Sequence, residues 1–293
     1  MNPAAISHYY VPEPSHWPLL GSIGLFSLTG GSALLLTDHV TGGSFAMGVG
    51  FLIFVGMLCG WFGAVIKESE GGRYNDQVDV SFRWGMAWFI FSEVMFFAAF
   101  FGALFYVRHF AVPWLGGIGD KASTHEILWP SFVAAWPLLQ LPDASQFTVA
   151  KHAMEAAGLP AFNTLILLSS GATVTWAHWG IKAGRRNHLI IGLCLTVALG
   201  ALFLSLQAHE YWDAYTVQNL RLTSGIYGST FFMLTGFHGA HVLIGAIMLS
   251  VVLARSARGH FTPTHHFAFE AASWYWHFVD VVWLGLFVTV YLL

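Results

Sequence analysis

Residues 43–66 read GSFAMGVGFLIFVGMLCGWFGAVI, without one charged side chain. A helix rising 1.5 Å per residue needs about 20 mostly apolar residues to cross a bilayer. This run is long enough to cross, and it does not alternate polar with apolar residues as a barrel strand would. It reads as a membrane helix. The rest of the chain agrees with it. Hydrophobic residues make up 56% of the 293 and charged residues 9%, against about 25% charged in an ordinary soluble domain. So few charges cannot cover a water-facing surface. A soluble enzyme, a disordered chain and a nucleic-acid binder are therefore excluded; Lys and Arg number only 12 and the net charge is -3.

Working outward gives seven spans: 17–37, 43–66, 82–107, 162–181, 189–208, 223–253 and 267–291. The fold class is thus all-α integral membrane with seven transmembrane helices, I to VII. The chain is one transmembrane domain, with a two-helix group at 17–66, a five-helix group at 82–293 and an extramembrane linker at 109–159. In that linker, ILWPSFVAAWPLLQLP is too short to span and is broken by Pro130 and Pro137. Residues 144–157 have helical spacing, with Asp143 as N-cap and Gly158 as stop. The first residues, MNPAAISHYYVPEPSHWP, lack the basic start of a signal or transit peptide. Cys59 and Cys194 lie in separate apolar runs and read as small buried hydrophobes.

Orientation follows from the basic residues. Lys67, Arg73, Arg83, Lys182, Arg185, Arg186, Arg255 and Arg258 fall on the side of the N-terminus, eight of the twelve. The N-terminus is expected inside and the C-terminus outside. Trp61, Lys67, Arg73, Arg83, Arg255, Arg258 and His260 form a basic, aromatic inner rim. Such a rim suits anionic lipid headgroups, and plain positive-inside topology explains it equally well.

Ionisable groups at membrane depth are costly and are functional candidates by default. Glu93 lies about 14 Å along its helix from Trp84, near the midplane, with Phe89, Phe96, Phe97 and Phe100 at helical spacing. Aromatic walls disfavour a carboxylate. Glu93 is therefore expected to be a neutral acid donating one hydrogen bond, either proton-handling or structural. A basic side chain bonded to it would overturn that expectation. Glu270, His277 and Asp280 share span VII, and His238 and His241 share span VI. These five are read as an interhelical polar network. No metal is expected, because His238 and His241 lack a third and fourth ligand at matching depth. His178 is expected at the interface, and His265 and His266 among headgroups.

Four long strings carry a resemblance: HHFAFEAASWYWHFVDVVWLGLF at 265–287, GIYGSTFFMLTGFHGAHVLIG at 225–245, TLILLSSGATVTWAHWGI at 164–181 and FRWGMAWFIFSEVMFF at 82–97. In order and spacing they resemble subunit III of the haem–copper cytochrome c oxidases, from about Trp17 to the end and more weakly at 109–159. The resemblance implies two helix groups, I–II and III–VII, with a lipid-filled cleft between them. It implies no cofactor in this chain except bound phospholipid; haem a, haem a3 and copper belong to partner subunits I and II, and cytochrome c is the substrate of the complex. The implied role is support of proton uptake, durability and oxygen access. Glu93 matches the family's membrane glutamate. Trp61, Glu68, Arg255, Arg258 and His260 match lipid-headgroup positions, and Lys67 joins them from the basic rim. The long linker and the YYVPEPSHWP segment look bacterial, which would place the chain in a bacterial inner (cytoplasmic) membrane. The loop before span III lacks the histidines of many relatives. Two alternatives are a quinol oxidase subunit III, which generally lacks spans I and II, and a free-standing proton-coupled transporter, for which no internal repeat is found.

Overall fold

The computed structural model describes residues 10–293. The reading of the extreme N-terminus falls in part on residues 1–9, outside the described residues. Among the described residues there are nine α-helices and no strand. They are α1 (Trp17–Leu36), α2 (Val40–Glu70), α3 (Asp76–Tyr106), α4 (Val112–Leu115), α5 (Ala122–Leu128), α6 (Leu159–Lys182), α7 (Arg186–Thr216), α8 (Gly225–Arg258) and α9 (Phe267–Leu286). The seven long ones match the seven expected spans. Several run past the apolar core that marked them. Helix α7, for example, continues from Ala208 to Thr216, because hydrogen bonding carries a helix on where hydropathy has already fallen.

By length and apolarity, α1, α2, the segment beginning with α3, α7, α8 and α9 can each cross a bilayer. Helix α6 has the length but is more polar. Its Asn163, Thr164 and Ser170 are buried, so its polarity faces other helices and its low hydropathy reflects a central position. Large apolar side chains such as Phe26, Leu36 and Phe45 are exposed at 78%, 87% and 74%. Only lipid or a partner covers that much apolar surface.

The chain divides into two compact units, Met1–Trp84 and Gly85–Leu293, with the boundary inside α3. In the first unit, α1 and α2 meet along glycines. A Cβ on Gly31 would lie 2.7 Å from the Met47 backbone nitrogen, and one on Gly50 would lie 2.7 Å from that of Leu28. Only the absence of side chains lets the two backbones approach so closely. Cys59 is exposed on α2, and Cys194 is exposed on α7 of the second unit. This corrects the expectation of burial. In a bilayer the outward face is as apolar as the core, so an apolar run does not say which way a residue points.

The second unit is built around α9. Trp276 is fully buried, with its ring against Gly200 of α7 and Gly245 of α8, and its indole N–H donates to Ser170 Oγ of α6 at 2.9 Å. Two turns on, the Trp283 indole donates to Thr164 Oγ1 at 2.8 Å and its ring meets Phe203 edge-on at 4.9 Å. Three helices are thus keyed to one by two indoles.

The expected helix at 144–157 does not form. Asp143 does cap, accepting from the Ser145 N–H at 3.0 Å, and this bond with the Ser145 hydroxyl bond holds its carboxyl below the usual range. The helix stops after the short turn Ala144–Gln146. Beyond it the backbone bonds elsewhere: Thr148 N–H donates to Thr223 O and Lys151 N–H to Gln218 O, both on the α7–α8 loop. Those long-range bonds replace the i→i−4 ladder. Gly158 does not stop a helix; at φ +102° it precedes α6 as its N-cap.

Candidate functional site

Glu93 lies on α3 and faces α8. His241 Nε2 lies 2.8 Å from Glu93 Oε2, and the other ring nitrogen, Nδ1, lies 2.6 Å from the carbonyl oxygen of Phe237. A carbonyl only accepts, so Nδ1 carries a hydrogen. Nε2 then either accepts from a protonated Glu93 or donates, as imidazolium, to its carboxylate. One proton is shared along one bond, and the pair is neutral overall in both arrangements. The expectation of a neutral acid without a basic partner is therefore overturned. The partner comes from span VI, and periodicity along span III could not reveal it. Around the imidazole stand Phe97 at 4.9 Å, Phe96 at 5.7 Å and Tyr275 at 6.4 Å. Glu93 keeps 21% of its side chain exposed, so the pair opens to the outside of its helix bundle.

The five residues read as one polar network separate into four places. His241 pairs with Glu93. His238 is fully buried and stacks on Trp283 at 5.0 Å; neither of its ring nitrogens has a hydrogen-bond partner. It does not converge with His241 on a common ligand. His277 Nδ1 lies 3.5 Å from Asp280 Oδ2, and its Nε2 lies 3.2 Å from Thr175 Oγ1 on α6. Glu270 turns to a different end of α9, where Oε1 lies 3.2 Å from His266 Nε2 and 3.5 Å from His178 Nε2. His266 is buried, which corrects its assignment to the headgroups, and His178, near the end of α6, is half-buried. Both turn inward to the same carboxylate.

A further group went unnoticed in the sequence. Gln207 and Glu210 of α7 are buried beside the Tyr291 hydroxyl. Glu210 lies past the apolar run that marked span V, so it read as loop. Only the extension of α7 carries it into the bundle.

The residues proposed for lipid contact differ in exposure. Trp61, Lys67 and Arg258 are exposed, and Glu68 and His260 are partly buried. Glu68 accepts from the Tyr74 hydroxyl at 2.8 Å; burial, and then this bond, push the Tyr74 hydroxyl above its ordinary value. Arg255 is buried, with its guanidinium 4.6 Å over the Phe261 ring.

The family model described as cytochrome c oxidase subunit III matches residues 7–128 and 125–293. Three curated proteins named cytochrome c oxidase subunit 3 are similar over 97% of this chain. Those of Marchantia polymorpha, Cyprinus carpio and Sus scrofa are 42%, 40% and 39% identical, covering 95%, 96% and 96% of their own lengths.

Proposed function

Because this chain belongs to the cytochrome c oxidase subunit III family, we propose that it serves as a non-redox accessory subunit, packed on subunit I of a membrane complex. In that complex cytochrome c delivers electrons through copper in subunit II to the haems and copper of subunit I, where oxygen is reduced to water. This chain's own groups bind and position. The observation that carries the proposal is the similarity along nearly the whole chain, spans I and II included, to proteins that bear the subunit's name.

Two roles follow for its residues. The Glu93–His241 pair can pass one proton between a carboxyl and an imidazole without a net charge appearing at membrane depth, where a lone charge costs several kcal/mol. This supports a part in proton uptake. The exposed Trp61, Lys67 and Arg258, with Glu68, Arg255 and His260 beside them in sequence, offer cations and amphipathic rings to phospholipid headgroups. The excess of Lys and Arg on one side supports an N-terminus inside, and the long linker with the YYVPEPSHWP segment supports a bacterial inner membrane.

Affinity purification of the tagged chain in mild detergent tests the assignment. The expected eluate absorbs as haem a and consumes oxygen with reduced cytochrome c. A chain that elutes alone, without haem, would overturn it.

A further inference from the structure

Helix α7 carries Gln207 and Glu210 close to the end that meets the α7–α8 loop. Glu210 lies six residues before Thr216, about 9 Å along the axis. Three residues apart, the two side chains share one face of the helix. That face is closed: Gln207 is 5% exposed and Glu210 2%. Tyr291, also buried, brings its hydroxyl beside both. It comes from the π-helical turn Phe287–Leu292 that follows α9. A π turn bonds residue i to i+5, so it re-aims the side chains it carries, and such turns often mark functional places.

Within this cluster the polar atoms are not finished by the chain. Both amide atoms of Gln207, both carboxyl oxygens of Glu210 and the Tyr291 hydroxyl are buried without a hydrogen-bond partner. Polar groups nearby are finished. The Tyr211 hydroxyl bonds Thr235 Oγ1 at 2.7 Å, and the Tyr227 hydroxyl accepts from the Met154 N–H of the linker at 3.0 Å. The surrounding walls are apolar. Phe203, fully buried, lies one turn before Gln207, and the rings of Phe231 and Trp283 stand 5.8 Å and 6.1 Å from that of Tyr291.

Buried polar groups in folded proteins nearly always find partners. Five unpartnered atoms on three neighbouring side chains therefore point to a ligand. Side chains that stand beside one another without bonding are the arrangement a bridging molecule completes. That molecule must both donate and accept. A carboxylate accepts, whereas an amide and a phenol do both. A cation would engage oxygens alone and leave the Gln207 N–H groups unserved. Water offers two donors and two acceptors, and a buried water typically makes about three hydrogen bonds to groups of this kind.

We propose that Gln207, Glu210 and Tyr291 bind an ordered water inside the helix bundle. The water accepts from the Gln207 amide or the Tyr291 hydroxyl and donates to Glu210. It ties the turn after α9 to α7, which no direct bond among these three side chains does. The site is separate from Glu93 and His241 and does not depend on the chain's role in an oxidase.

The test is an electron cryo-microscopy map of the membrane assembly with which the full chain purifies, at a resolution where ordered water is visible. The expected result is water density about 2.7–3.0 Å from Glu210 and at the same distance from Tyr291 or Gln207. Glu210→Gln keeps an acceptor and should keep the water. Glu210→Leu, similar in size and apolar, should lose it. Three results would overturn the proposal: no such density in the wild type, density held by oxygens alone at about 2.3–2.6 Å, as for a cation, or water unchanged in Glu210→Leu. Should that variant fail to assemble, the wild-type map decides.

Discussion

At the scale of single residues, the Glu93–His241 bond decides what substitutions do. Glutamine at 93 keeps the size of the side chain and brings an N–H that can donate to His241 Nε2, so Glu93→Gln should assemble and melt like wild type. Glu93→Ala leaves Nε2 without a partner at membrane depth, and an unsatisfied buried polar group costs about 1–3 kcal/mol. The complex should then lose this subunit at lower temperature or in milder detergent, as gel analysis after heating would show. Glu93→Asp should fall between them, because a shorter acid must reach across a gap. The same Gln variant separates two roles: an intact complex with lowered proton pumping marks the shared proton as functional, and unchanged pumping marks it as structural. Ser170 gives a second residue-scale expectation. Ser170→Ala strands the Trp276 indole N–H in a core where no water reaches it. It should cost about 1–3 kcal/mol, read as a lower denaturation midpoint of the assembled subunit.

At the scale of elements, the α1–α2 hairpin depends on close approach. A Cβ on Gly31 meets the Met47 backbone nitrogen at 2.7 Å, whereas one on Gly48 meets nothing within 4 Å. Both glycines lie in helices that alanine otherwise favours. Gly31→Ala should therefore force the helices apart at a cost of about 1–3 kcal/mol, and Gly48→Ala should be neutral or slightly stabilising. Comparative thermal release of the subunit measures the difference; equal behaviour would show that the helices separate at no cost. The linker teaches the converse. Its 144–157 stretch has helical spacing and a working cap at Asp143, yet the helix ends after Gln146 because the α7–α8 loop offers bonds to Thr148 and Lys151. Local propensity is a weak prior that tertiary partners override.

At the scale of the whole molecule, the seven-span topology alternates the loops of the second unit across the bilayer. Cysteine placed at Ala183 or at Thr262 should react with a membrane-impermeant maleimide only in inside-out vesicles. Cysteine at Ala144 should react only in right-side-out ones. The experiment also tests whether α6 crosses: if it did not, Ala144 and Ala183 would label from the same side. The sequence by itself determined the class, the seven long helices and the family. Apolar length is a local property, and the long strings at 82–97, 164–181, 225–245 and 265–287 carry their resemblance without any contact being known. It also singled out Glu93, because an acid at membrane depth stands out in one dimension. What it could not determine was who faces whom. His241 lies 148 residues from Glu93 and His178 lies 92 from Glu270, so no periodicity within one helix connects them. Glu210 was hidden by the end of an apolar run, and Cys59 and Cys194 were turned the wrong way because lipid and core look alike to hydropathy. Only helix packing, fixed by glycine clearances and by the two indoles of α9, brought these side chains together or turned them out.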